Sequence, residues 1–200
     1  MENKNAAQEN LEYIKQVILD SKNIIKDRGD VAILWGVVII TAQLSSFFML
    51  ISDIGRHIGL MWIFVIAAGW ILTFIMGKKK EKRGVSTSAL KIDAATWIST
   101  GVSMTVVGFA GTFSGMIGWQ AINPLMAMFL ANAFFITGMV YNTKIFKFAA
   151  LGWWVGAIVL FWIPNDYIEY TFIVFAAMML LFQTIPGIML YIKYKKEEVK

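Results

Sequence analysis

VAILWGVVIITAQLSSFFMLI, residues Val31 to Ile51, is a run of twenty-one residues without a charged side chain. Wound as a helix at about 1.5 Å per residue, it covers the roughly 30 Å hydrocarbon core of a bilayer. The run is too long, and too far from the N-terminus, for the apolar region of a signal peptide, and no small-residue cleavage pattern follows it. It is therefore expected to remain in the mature chain as a membrane span.

Working outward, five further runs of similar character predict an all-α, polytopic membrane protein. The expected spans are 31–51, 58–76, 94–118, 124–141, 145–163 and 167–192, preceded by a polar segment 1–30 and followed by a basic tail 193–200. Composition agrees: 58% of the 200 residues are apolar and 16% are charged, against about 25% charged in ordinary soluble proteins. Little chain is left over for a soluble catalytic domain.

Charge placement sets the expected orientation. Seventeen of the eighteen Lys and Arg residues fall on one side if the N-terminus is cytoplasmic, and only Arg56 falls on the other. Loop bias of this kind governs membrane topology. Both termini are expected in the cytoplasm, with the six spans arranged as three hairpins. The net charge of +5 then reflects topology and contact with anionic lipid, and gives no reason to invoke nucleic acid.

Residues 1–30 carry a helical pattern of their own. Leu11, Ile14, Val17, Ile18, Ile24 and Ile25 recur near helical spacing, with Glu12, Lys15, Asp20, Lys22 and Lys26 between them. This predicts a short amphipathic helix ending at Gly29. It either lies on the inner membrane surface or serves, through residues 11–28, to dock a protein partner or a second copy.

Several features are candidates for function. Gln43, Asn132 and Gln183 with Thr184 are uncharged polar groups at membrane depth. They either hydrogen-bond between helices or converge on a neutral ligand site. Trp153 and Trp154, in the middle of the fifth span, either pack or wall such a site. Gly101, Gly108, Gly111, Gly115 and Gly118 are expected to form one close-packing seam on the third span, with a ligand space or a moving helix as the alternative. Pro186-Gly187 should kink or loosen the sixth span, a hinge position of the kind found in carriers.

Absences narrow the chemistry. With no cysteine and one histidine, His57, thiolate nucleophiles, disulfides, zinc-thiolate sites and two-histidine metal centres are excluded, and no cofactor is expected. No ionisable residue falls in the middle of a span, which disfavours proton- or sodium-coupled carriers. Gly111-Thr112-Phe113-Ser114-Gly115 is similar to the serine loop of rhomboid proteases, but His57 precedes the serine, opposite to the order in that family. Asn123-Pro124-Leu125 is similar to half of an aquaporin signature. Asparagine as helix cap with proline in the first helical position explains it.

The stretch Glu9-Asn10-Leu11-Glu12-Tyr13-Ile14 through Ser21-Lys22, followed by Ile33-Leu34-Trp35-Gly36, resembles a group of small bacterial inner-membrane proteins. The resemblance covers about the first forty residues and the overall layout. It implies a bacterial source and about six spans, with no activity attached. The expected function is a non-enzymatic sensor or accessory subunit of a membrane complex. A small carrier or channel for neutral or amphipathic molecules is the alternative.

Overall fold

Within hydrocarbon, a backbone must bond its own N–H and C=O groups, so apolar runs of span length fold as helices. The computed structural model describes residues 2–80 and 88–198, and these are helical almost throughout. In chain order the helices are α1 (Glu2–Ile51), α2 (Ile58–Lys80), α3 (Ser88–Thr105), α4 (Trp119–Val140), α5 (Lys144–Phe161), α6 (Glu169–Met179) and α7 (Ile185–Glu198). A π-helical turn, Val106–Gly111, extends α3, and a second, Leu180–Thr184, joins α6 to α7 without a break.

Five stretches among the described residues are long and apolar enough to cross a membrane: Gly29–Ile51, Gly55–Gly77, Trp119–Val140, Lys144–Phe161 and Glu169–Lys193. α3 with its π turn also has span length. Its lower apolar content comes from Thr96, Ser99, Thr100, Ser103 and Thr105. Three of these hydroxyls donate to carbonyls of their own helix, Thr96 to Ile92, Ser99 to Thr96 and Thr105 to Gly101, so they need no outside partner.

The core lies where α4 and α5 face α6. Ala127, Ala131, Phe134, Ala150, Trp153, Leu160, Phe175 and Met179 are all buried there. Small residues let α5 approach α6 and the π turn that follows it, with Met178 of α6 seated over Gly156 and Phe182 of the π turn over Gly152. Of the five stretches named above, the one that holds α2 is the least buried, with Phe64 73% exposed, as befits a helix facing lipid.

Tryptophans and glycines tie the outer helices together. The Trp35 ring lies over Gly69 of α2, where a Cβ would meet it at 2.7 Å, and its Nε1 donates to Thr73 Oγ1 at 3.0 Å. Trp62 of α2 returns a bond to Ser46 Oγ of α1 at 3.0 Å. Trp70 meets Trp35 edge-on at 6.0 Å between centroids and covers Gly101 of α3.

Four expectations are corrected. The N-terminal helix is not separate: α1 runs from Glu2 through Gly29 to Ile51. Glycine weakens a helix by only about 1 kcal/mol, and at Gly29 the missing side chain admits Gly187 of α7, whose carbonyl lies 2.8 Å from a Cβ built there. The side chains of 13–28, which carry the amphipathic pattern, lie outside the described ones. So do residues 81–87, with part of the basic cluster, and residues 199–200.

The third span stops at Phe113 rather than 118, so the five glycines do not share one helical seam. Gly101 receives Trp70, while Gly108 and Gly111 belong to the π turn. Gly115 (φ +74°) makes the turn that ends the helix, a left-handed conformation that suits glycine. Gly118 caps α4. The fourth span begins at Trp119, five residues early, with Pro124 inside it.

Last, the third helix begins six residues before the expected start at residue 94. α3 starts at Ser88, and Asp93 is fully buried within it.

Tight turns close two of the hairpins. Asn142 adopts φ +47° after α4, with Thr143 N–H bonded to Gly138 O at 3.0 Å and Asn142 N–H to Met139 O at 3.3 Å. This is a Schellman ending. Asp53 plays the same part after α1 at φ +58°, with Ile54 N–H on Met49 O.

Candidate functional site

Buried amides are the chemically capable groups in this chain, and three helices bring two of them together. Gln43 lies on the face of α1 turned toward α4 and α6, and is 2% exposed. Its Nε2 donates to Asn123 Oδ1 at 3.0 Å. Asn123 Nδ2 in turn donates to Thr171 Oγ1 of α6 at 3.1 Å, and the Thr171 hydroxyl donates to the Ile168 carbonyl. A single directed chain of hydrogen bonds therefore runs from α1 through α4 to α6.

Why Asn123 is available follows from where α4 starts. Helical spacing from Asn123 leads to Ala127, Leu130 and Phe134, which are all buried. Proline one position later has no N–H to give to the Gln120 carbonyl, so one helical bond is missing beside the polar bridge. Asn123 is thus a bridging residue, not the helix cap expected from the sequence.

The other sequence candidates lie apart from this bridge. Gln183 sits in the second π turn, 3% exposed, and its Nε2 makes a long contact of 3.5 Å with the Ala32 carbonyl. Thr184 beside it donates to Met179 O at 3.0 Å and presses against Gly36 of α1. The irregularity expected at Pro186 thus takes the form of a π turn upstream of it, and Gly187 is a packing contact with Gly29 and Ala32. Asn132 is on the exposed face of α4 and bonds neither glutamine.

Trp153 and Trp154 point to different neighbours. Trp153 is fully buried against Phe175 and Phe182, whereas Trp154 is half-buried against Phe135. The five ligand-site candidates therefore do not line one common site.

Gln43 Oε1, Gln183 Oε1 and Trp153 Nε1 belong to a larger set of buried polar atoms without a hydrogen-bond partner among the described residues. Each of the two glutamines thus has its nitrogen engaged and its oxygen free to accept.

A second polar cluster was hidden in the sequence. Trp97 Nε1 donates to Thr137 Oγ1 at 2.9 Å, and Thr137 Oγ1 donates to Asp93 Oδ1 at 3.0 Å. It links α3 to the far end of α4, with Phe134 edge-on to Trp97 at 5.2 Å. Trp97 therefore serves as an inter-helix donor. Trp119 and Trp162 are exposed at helix ends, as surface anchors would be.

The protease-like segment holds a different arrangement. Ser114 donates to the Gly111 carbonyl at 3.0 Å, and His57 Nε2 accepts from Arg56 Nε at 3.0 Å. No group of three or more metal-ligating side chains occurs among the described residues.

No protein-family model matches the chain, and no curated protein or solved structure matches it.

Proposed function

We propose that this protein is a non-enzymatic sensor or accessory subunit of a membrane complex. It would cross the bacterial inner membrane six times, with α3 and its π turn as the third span and both termini in the cytoplasm. One observation carries this reading: Gln43, Asn123 and Thr171 are bonded to one another across α1, α4 and α6. Polar groups joined in this way hold helices together within lipid. The bias of seventeen basic residues to one side supports the orientation. In this reading the N-terminal part of α1, continuous with the first span, carries contact with a cytoplasmic partner.

Gentle purification of the full-length protein from its own membranes tests the proposal, with mass spectrometry of whatever accompanies it. A stoichiometric protein that is lost when residues 1–28 are removed is the expected result. A preparation with no companion protein contradicts it.

A second reading is favoured by the unpartnered acceptors Gln43 Oε1 and Gln183 Oε1. Acceptors without donors in a dry interior are unfavourable by about 1–3 kcal/mol each, and a neutral solute with N–H or O–H groups would satisfy them. Under this reading the protein is a small carrier for such molecules. Vesicle flux that persists unchanged in folded Gln183→Leu protein rules it out.

A further inference from the structure

α4 carries an amide where lipid should be. Asn132 lies about 4 Å along the helix axis from the middle of the Trp119–Val140 span, is exposed, and has no hydrogen-bond partner among the described residues. An amide facing hydrocarbon has neither water nor protein to bond, so its position calls for a neighbour.

The surrounding residues define the shape of that neighbour. Ala121, Leu125, Met128, Asn132, Phe135 and Met139 are spaced 4-3-4-3-4 along one face of α4. Met128, Asn132, Phe135 and Met139 are exposed, while Ala121 and Leu125 are half-buried. A 3.5-residue repeat is the pattern of a helix that packs along its length against another helix at a shallow left-handed crossing. A single asparagine in an otherwise apolar seam is the residue that fixes register and stoichiometry in such pairs.

We propose that this face of α4 joins two copies of the chain around a two-fold axis along the membrane normal. Copies inserted in one orientation present α4 in parallel, so Asn132 of one protomer meets the same residue of the other at equal depth. The side-chain amide holds both a donor and an acceptor, so the pair satisfies itself. A partner of different sequence would need its own polar group at that depth. The occupant inferred is therefore a second copy. This does not depend on the accessory-subunit reading, since a carrier could use the same contact.

The chain has no cysteine, so single introduced thiols report contacts cleanly. Met139→Cys and Met128→Cys variants of the full-length protein, oxidised in native membranes, are expected to yield a disulfide-linked species of twice the 22.5 kDa monomer. Phe64→Cys, on exposed α2, is expected to yield none. Adding Asn132→Leu to Met139→Cys should weaken association by roughly 3- to 20-fold, and Asn132→Gln should restore it. Three results overturn the proposal: no dimer from either methionine position, equal cross-linking from Phe64→Cys, or a product whose second chain is a different protein. Cross-linking that ignores Asn132→Leu overturns the role given to the asparagine.

Discussion

The side-chain nitrogen of Gln43 lies 3.0 Å from the side-chain oxygen of Asn123, eighty positions along the chain, and the bond closes α1 onto α4. Asn123 passes the contact on to Thr171, so one asparagine holds three helices. Asn123→Leu should therefore destabilise the fold by about 1–3 kcal/mol, since it breaks both bonds and strands a buried donor. Thr171→Val removes the bond to α6 alone and should be milder. Unfolding midpoints of the purified protein in lipid bicelles check the order, and equal effects would show that the two bonds do not act through Asn123.

At the other end of α4, Thr137 accepts from Trp97 and donates to Asp93. Asp93→Asn keeps an acceptor for the Thr137 hydroxyl and should shift stability by less than about 1 kcal/mol. Asp93→Leu removes it and should lose about 1–3 kcal/mol. The same unfolding assay compares the two, and a tolerated leucine would refute the role of the carboxylate as acceptor.

Gly29 and Gly187 meet backbone to backbone, whereas Gly77 has open space around it. Gly29→Ala should destabilise by about 1–3 kcal/mol through overpacking. Gly77→Ala, relieved of glycine's helix penalty and with nothing to strike, should be neutral or stabilising by up to about 1 kcal/mol. Thermal midpoints of the two variants side by side give the answer.

Orientation is testable with the same cysteine-free background. Ser52→Cys and Asn165→Cys, placed in the α1–α2 and α5–α6 turns, should react in intact cells with a membrane-impermeant maleimide. Asn142→Cys, in the α4–α5 turn, should react only after the membrane is opened. The reverse pattern would invert the proposed topology.

The helices themselves were legible because lipid imposes a simple rule: twenty apolar residues without charge, as in Val31 to Ile51, have few alternatives to a helix. Their ends and partners were harder to read. Asn123-Pro124 looks like a cap and first helical residue, but the helix begins at Trp119 and runs through the proline, which leaves the Gln120 carbonyl without its helical N–H. The buried spacing Asn123, Ala127, Leu130, Phe134 was the signal that could have shown it. Asp93 looks like a loop residue because hydropathy sees its charge and not the Thr137 hydroxyl forty-four positions away. Gly29 looks like a stop, yet a glycine that meets another glycine's backbone is a contact, and that pairing is invisible in one dimension.

The central claim is that the intramembrane amides are engaged in holding helices together. A double-mutant cycle between Gln43→Ala and Asn123→Ala, read as unfolding free energy in bicelles, tests it most directly. The account predicts a coupling of about 0.6–1.7 kcal/mol, the range for hydrogen bonds between membrane helices. Additive effects with no coupling would contradict it.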